Sequence, residues 1–104
     1  DDNYKNRLQV IIQKEFKITP DYLEINHDVE NGYEMGVYIC LGQEIHEVKA
    51  DEATDYKEFG SLAKIHEKFD EDGKLFIFLG KGLHKIKKKA EQIACENGIK
   101  LFEH

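Results

Sequence analysis

Apolar residues recur along this chain with two periods, one helical and one alternating. In residues 3–16, NYKNRLQVIIQKEF, Leu8, Ile11, Ile12 and Phe16 fall on one helical stripe, and Lys5, Gln9 and Gln13 lie on another face. Asn3 is the expected N-cap, and Thr19-Pro20 ends the segment. YLEINH (22–27) and YEMGVYICL (33–41) alternate as strands. The DVENG between them contains Asn31-Gly32, a hairpin signal because both residues tolerate positive φ. Met35, Val37, Ile39 and Leu41 then share the core face of the second strand. EIHEVK (44–49) reads as a short extended piece. From Asp55 to Phe69 the pattern predicts a helix with Tyr56, Phe59, Leu62, Ala63, His66 and Phe69 on one broad face and Thr54 as N-cap. DEDG (70–73) reads as a turn and KLFIFL (74–79) as a third strand. Gly80 and Gly82 predict a tight turn, and a last helix over 84–97 ends at Gly98.

The order helix, strand, strand, helix, strand, helix defines an α+β domain. The 104 residues, 40% of them apolar, suit one domain over 1–104 with one modest core. No apolar run approaches the roughly 20 residues of a membrane span, so no membrane partner is expected. The opening DDNYKNR is polar, unlike a secretory signal or transit peptide, and reads as a linker from a longer protein. Cys40 and Cys95 sit far apart among apolar residues. They read as buried free thiols of a reducing intracellular compartment, cytoplasmic or nuclear, rather than a disulfide or half a metal site.

The net charge of −6 argues against a general nucleic-acid binder until its distribution is considered. Residues 43–73 hold ten acidic residues and four lysines, which accounts for the whole imbalance and leaves the rest neutral. Residues 81–104 carry six lysines against three acids. Lys85, Lys87, Lys88 and Lys89 crowd the expected start of the last helix, where the dipole favours acids. Taken alone, such a run is an ordinary solvated face. Gln9 and Gln13 alone are ordinary surface residues.

With 43–73 set aside, the order becomes α-β-β-β-α. NYKNRLQVIIQKEF then resembles the first helix of a double-stranded RNA-binding domain, most closely the one that follows the nuclease domain in ribonuclease III. The family pattern is a basic residue, Leu-Gln and a second Gln one turn on, here Lys5, Leu8-Gln9 and Gln13. KKKAEQIAC resembles the family's Lys-Lys-x-Ala-Glu/Lys, with Lys87, Lys88, Ala90 and Glu91 in place. The resemblance covers residues 3–42 and 74–99. It implies a three-stranded antiparallel sheet with two helices on one face, plus an inserted helix between strands 2 and 3. It also implies binding of double-stranded RNA by shape, as part of a ribonuclease III-like endonuclease active in RNA processing.

On that reading Lys85, Lys87 and Lys88 hold phosphates across the deep major groove, with Lys81 close enough to help, while Lys89 points elsewhere. Gln9 and Gln13 touch 2′-hydroxyls and base edges in the minor groove, with Lys5 or Asn6 nearby. The chain departs from the pattern in four places. DVENG lacks the usual Gly-Pro and groove-reaching histidine, and His27 belongs to the strand end. Val10 replaces a common acid, Ile86 a common Ser, and the Gly-x-Gly survives partly as Gly80 and Gly82. The apolar face of 55–69 either packs on the domain or meets another protein chain, and the acidic insertion is expected away from the RNA surface. No catalytic residue, metal site or cofactor is expected in this domain; Mg²⁺ belongs to a nuclease domain outside the chain. His46 and His66 show no zinc-like spacing. The alternative function is a protein-interaction or homodimerisation module of the same fold.

Overall fold

A computed structural model describes residues 3–103. Asp1, Asp2 and His104 lie outside the described residues, including the first part of the stretch read as a linker. Tyr4 to Arg7 of that stretch are already helical.

Helix α1 spans Tyr4–Phe16. Asn3 caps it as expected, its Oδ1 accepting the Asn6 N–H at 3.2 Å. Leu8 and Ile12 are fully buried on its inner side. Lys17, in the left-handed region at φ 62°, closes the helix by donating its N–H to the Gln13 carbonyl. Strands β1 (Asp21–Asp28) and β2 (Gly32–Leu41) form the expected hairpin. Gly32 stands at φ 89°, and the Asp28 carboxylate accepts the Asn31 N–H at 2.6 Å, closing the turn.

The insertion departs from its reading in detail. Residues 44–49 are not extended. They hold a 3₁₀ turn over Ile45–Glu47, followed by a second over Ala50–Glu52. Thr54 caps no helix: strand β3 (Thr54–Asp55) pairs in parallel with Ile77 and Phe78. Helix α2 spans Leu62–Asp72, not 55–69. Its start is set by Gly60, at φ 83°, and by Ser61, whose Oγ accepts the Lys64 N–H. Tyr56 and Phe59 therefore reach the core from the turn before the helix, Ala63 is exposed, and Ile65, outside the expected face, is fully buried.

Strand β4 spans Leu75–His84 and runs through both glycines where a turn was expected. The reason is steric. A Cβ at Gly80 would stand 2.7 Å from the Ala94 carbonyl oxygen, and one at Gly82 would collide with the Ala90 carbonyl. The glycines let the backbone of helix α3 (Lys87–Ile99) lie directly on the strand rather than turn it. Gly98 is buried inside α3, which continues past it into a 3₁₀ turn at Lys100–Phe102.

The sheet has four strands in the order β1-β2-β4-β3. Its three long strands are antiparallel, as expected; the two-residue β3 makes it mixed. Side chains alternate between its two faces. Val37, Ile39, Leu41, Ile77 and Leu79 meet Leu8 and Ile12 of α1 and Ala94, Cys95 and Ile99 of α3 in the main core. Tyr38, Cys40 and Phe76 face the other way.

The insertion uses both faces. Ile45, Val48, Ala50 and Ala53 cover the Tyr38 side, and Tyr56, Phe59, Leu62, Ile65 and Phe69 join the main core. Of the two alternatives for its apolar helical face, packing on the domain is the one observed. His66 completes the attachment: its Nε2 lies 3.0 Å from the Glu15 carboxylate, and its ring rests on Phe16. Cys40 and Cys95 are buried free thiols, as expected. Among the described residues no helix is long and apolar enough to cross a membrane.

Candidate nucleic-acid interface

Three features set the surface at the start of α3. Ile86 occupies the N-cap position, which has no side-chain acceptor. The first turn contains no acidic residue. Lys85, Lys87, Lys88 and Lys89 are all exposed, and none forms an ion pair with a described residue. Unpaired N–H groups, the positive dipole end and ammonium groups therefore coincide, which is the composition of an anion-binding surface.

Burial of Ala90, Ala94 and Cys95 fixes the rotation of α3. At about 100° per residue, Lys88 falls on the stripe of Glu91 and Gln92, while Lys89 falls opposite Ala94 and Cys95 and faces solvent. Lys87 follows the stripe of Ala90 and Ala94 but is exposed at the helix start.

The Glu91–Gln92 stripe meets α1. Lys5 forms an ion pair with Glu91, donates its backbone N–H to Gln92 Oε1 at 3.3 Å, and holds its Nζ 4.9 Å from the Tyr22 ring centroid. Lys5, expected beside the RNA contacts, is thus engaged as a clasp between α1 and α3. Tyr22 and Gln92 carried no local signal as its partners; only the pairing of the two helices brings them there. Gln9 and Gln13 are exposed on the flank next to Lys5, and Asn6 is exposed beyond them. Lys5 thus ties the first turn of α1 to the stripe of α3 that bears Lys88, and Gln9 and Gln13 follow one and two turns further along α1.

Lys81 is not brought to this surface. It pairs with Gly36 in the sheet and points to the face opposite the helices, where its Nζ lies 3.4 Å from Glu34. His84 is the residue that sequence reading passed over. Its Nδ1 accepts the Ile86 N–H at 2.9 Å, holding the turn from β4 into the lysines.

The acidic end of α2 stands elsewhere. Asp70, Glu71 and Asp72 precede Leu75 at the beginning of β4, whereas the lysines follow His84 at its end. Ten strand residues span about 30 Å, several times the Debye length of about 8 Å at physiological salt. Lys68 also lies 3.8 Å from Glu71 and 3.6 Å from Asp72. The carboxylates at the end of α2 therefore stand at the opposite end of β4 from the lysines.

A partly buried polar pair joins β1 to α3. Tyr22 Oη lies 3.3 Å from Cys95 Sγ, and burial pushes both groups to titrate above their ordinary ranges. Among the described residues no group of three or more His, Cys, Asp or Glu could hold a metal ion. In comparisons with known proteins, no family model, curated protein or solved structure matches this chain.

Proposed function

We propose that this chain binds double-stranded RNA through phosphate and minor-groove contacts, as the RNA-binding module of a ribonuclease III-like endonuclease. The observation that carries the reading is the unpaired lysine cluster at the uncapped start of α3, on a helix tied through Glu91 to Lys5 of α1 and separated by the length of β4 from the acidic end of α2. The resemblance of both helices to the double-stranded RNA-binding domain supports it, as does the α-β-β-β-α order of the elements outside 43–73. Lys85, Lys87 and Lys88 hold phosphates on either side of a major groove. Gln9 and Gln13 donate to and accept from 2′-hydroxyls and base edges. Lys5 acts through the α1–α3 clasp, with Asn6 at its side, and Lys81 contributes less because it is directed to the other face.

The test is a titration of the chain with a duplex RNA of about 20 base pairs and with the same-sequence DNA duplex, spanning the roughly 16 base pairs such a domain covers. RNA is expected to bind in preference to DNA, with affinity falling steeply as salt rises and little dependence on duplex sequence. Equal binding to both duplexes, or none to either, overturns the proposal.

One observation favours a second reading, a protein-interaction or homodimerisation module. Leu83 and Ile86, beside the lysines, are 53% and 51% exposed. The apolar side of α2 packs on the domain, and these two residues add exposed apolar surface at the basic end. That reading predicts negligible RNA binding and a mass by light scattering that rises with concentration.

A further inference from the structure

Two rings stack across the sheet at the end where α3 begins, and His84 follows them in register. His27 on β1 pairs with Tyr33 on β2, and Tyr33 pairs with His84 on β4. Paired residues of antiparallel strands project to the same side. Tyr33 shares its side with Val37 by the two-residue alternation, so the ladder lies on the helix-bearing face. The His27 and Tyr33 rings are stacked with centroids 3.9 Å apart and planes within 7°. Tyr33 is flanked by His84 on its inner side. His27 has no strand beyond it, because β1 is the edge of the sheet, and it is exposed. The stack therefore ends in an open ring face.

The charges around the ladder indicate what fits that face. His84 leads directly into Lys85 and the lysine cluster, and β1 and β4 are two strand spacings apart, about 10 Å. The ring and the lysine cluster therefore stand at the same end of the sheet. The adjacent carboxylate, Asp28, is engaged in closing the hairpin, accepting the Asn31 N–H at 2.6 Å and its Nδ2–H at 3.3 Å. A flat group attached to a phosphate backbone suits this combination, since every base presents a π-face and stacking does not depend on sequence.

We propose that the outer face of His27 stacks an unpaired nucleobase, so that the chain recognises a duplex bearing a single-stranded extension more tightly than a blunt one. This rests on the RNA-binding reading above and adds a structural preference to it. The contact differs in kind from those of the lysines and glutamines, which read the phosphates and groove of paired RNA.

The experiment measures affinity for a blunt duplex of about 16 base pairs and for the same duplex with a short 3′ overhang. It compares the unmodified chain, His27→Ala and His27→Phe, with thermal melts confirming that each is folded. The unmodified chain is expected to prefer the overhang about tenfold. His27→Ala loses that preference without changing blunt-duplex affinity, and His27→Phe, which restores a flat ring, retains most of it. Equal affinity of the unmodified chain for both RNAs overturns the inference while leaving the RNA-binding reading intact. A preference that survives in His27→Ala, or an equal loss for both RNAs, also overturns it. Absence of binding to either RNA overturns both proposals.

Discussion

At one end of β4 stands α2 and at the other α3, and the two helix starts are built on opposite terms. α2 begins with Ser61 accepting the Lys64 N–H and ends in Gly73 at φ 78°, a residue suited to the left-handed region. Its C-terminal acids run against the helix dipole, but Lys68 lies close to two of them. α3 begins without a side-chain cap and places lysines where the dipole is already positive. Neither Coulomb energy nor capping favours that arrangement for the isolated helix. Local rules tend to be broken where a surface is kept for something other than stability. The comparison thus separates a part of the molecule that holds it together from a part that stability does not explain.

The largest expected effect tests the first half of that contrast. Ile65→Ala removes a fully buried side chain from the core shared by α2, α1 and the sheet. It should cost about 3 kcal/mol in denaturant unfolding. A cost below about 1 kcal/mol would mean that the insertion is only lightly attached. Ser61→Ala should cost about 1 kcal/mol by loss of the cap, measured the same way. The clasp between the helices comes next. A double-mutant cycle of Lys5→Ala and Glu91→Ala, in which both groups are partly exposed, should return a coupling of about 0.5 to 1 kcal/mol that weakens with salt.

The smallest effect is a titration. Hydrogen bonds from Asn31, the backbone N–H first, hold the Asp28 carboxyl below the ordinary aspartate range. A carboxyl lowered in the folded state contributes stability that is complete above the ordinary range and is lost as pH falls through its lowered value. Protection of the Asn31 amide, taken relative to its intrinsic exchange rate, should therefore fall as the pH drops through that lowered value, and Asp28→Ala should remove this dependence.

Much of the frame was legible because it rests on short-range rules. Asn3 as a cap, Asn31-Gly32 as a hairpin and the apolar face of β2 each express a preference that tertiary packing did not override. The misreadings share one cause. Gly80 and Gly82 look like a turn in sequence, but their lack of side chains serves the approach of α3, which no local pattern reveals. Gly98 looks like a helix stop, yet α3 carries on through it to Ile99, which is buried in the core. Thr54 looks like an N-cap, yet β4 offers an open edge that draws 54–55 into pairing and leaves Ser61 to start the helix. Within the candidate surface, the lysine run and the glutamine pair were visible in the chain. The engagement of Lys5 with Glu91 and Tyr22, the outward direction of Lys81 and the ladder of His27, Tyr33 and His84 follow only from how strands and helices are set side by side.

The central claim is that the lysines at the start of α3 serve an anion rather than the fold. The most direct test is Lys87→Ala/Lys88→Ala, measured for both stability and affinity to duplex RNA over a range of salt. The account predicts unfolding stability unchanged or raised by about 0.5 kcal/mol, since cations are removed from a positive helix end. It also predicts weaker RNA binding, with a plot of log affinity against log salt that is shallower by about one to two units. A variant that loses stability while binding RNA with an unaltered salt slope would contradict it.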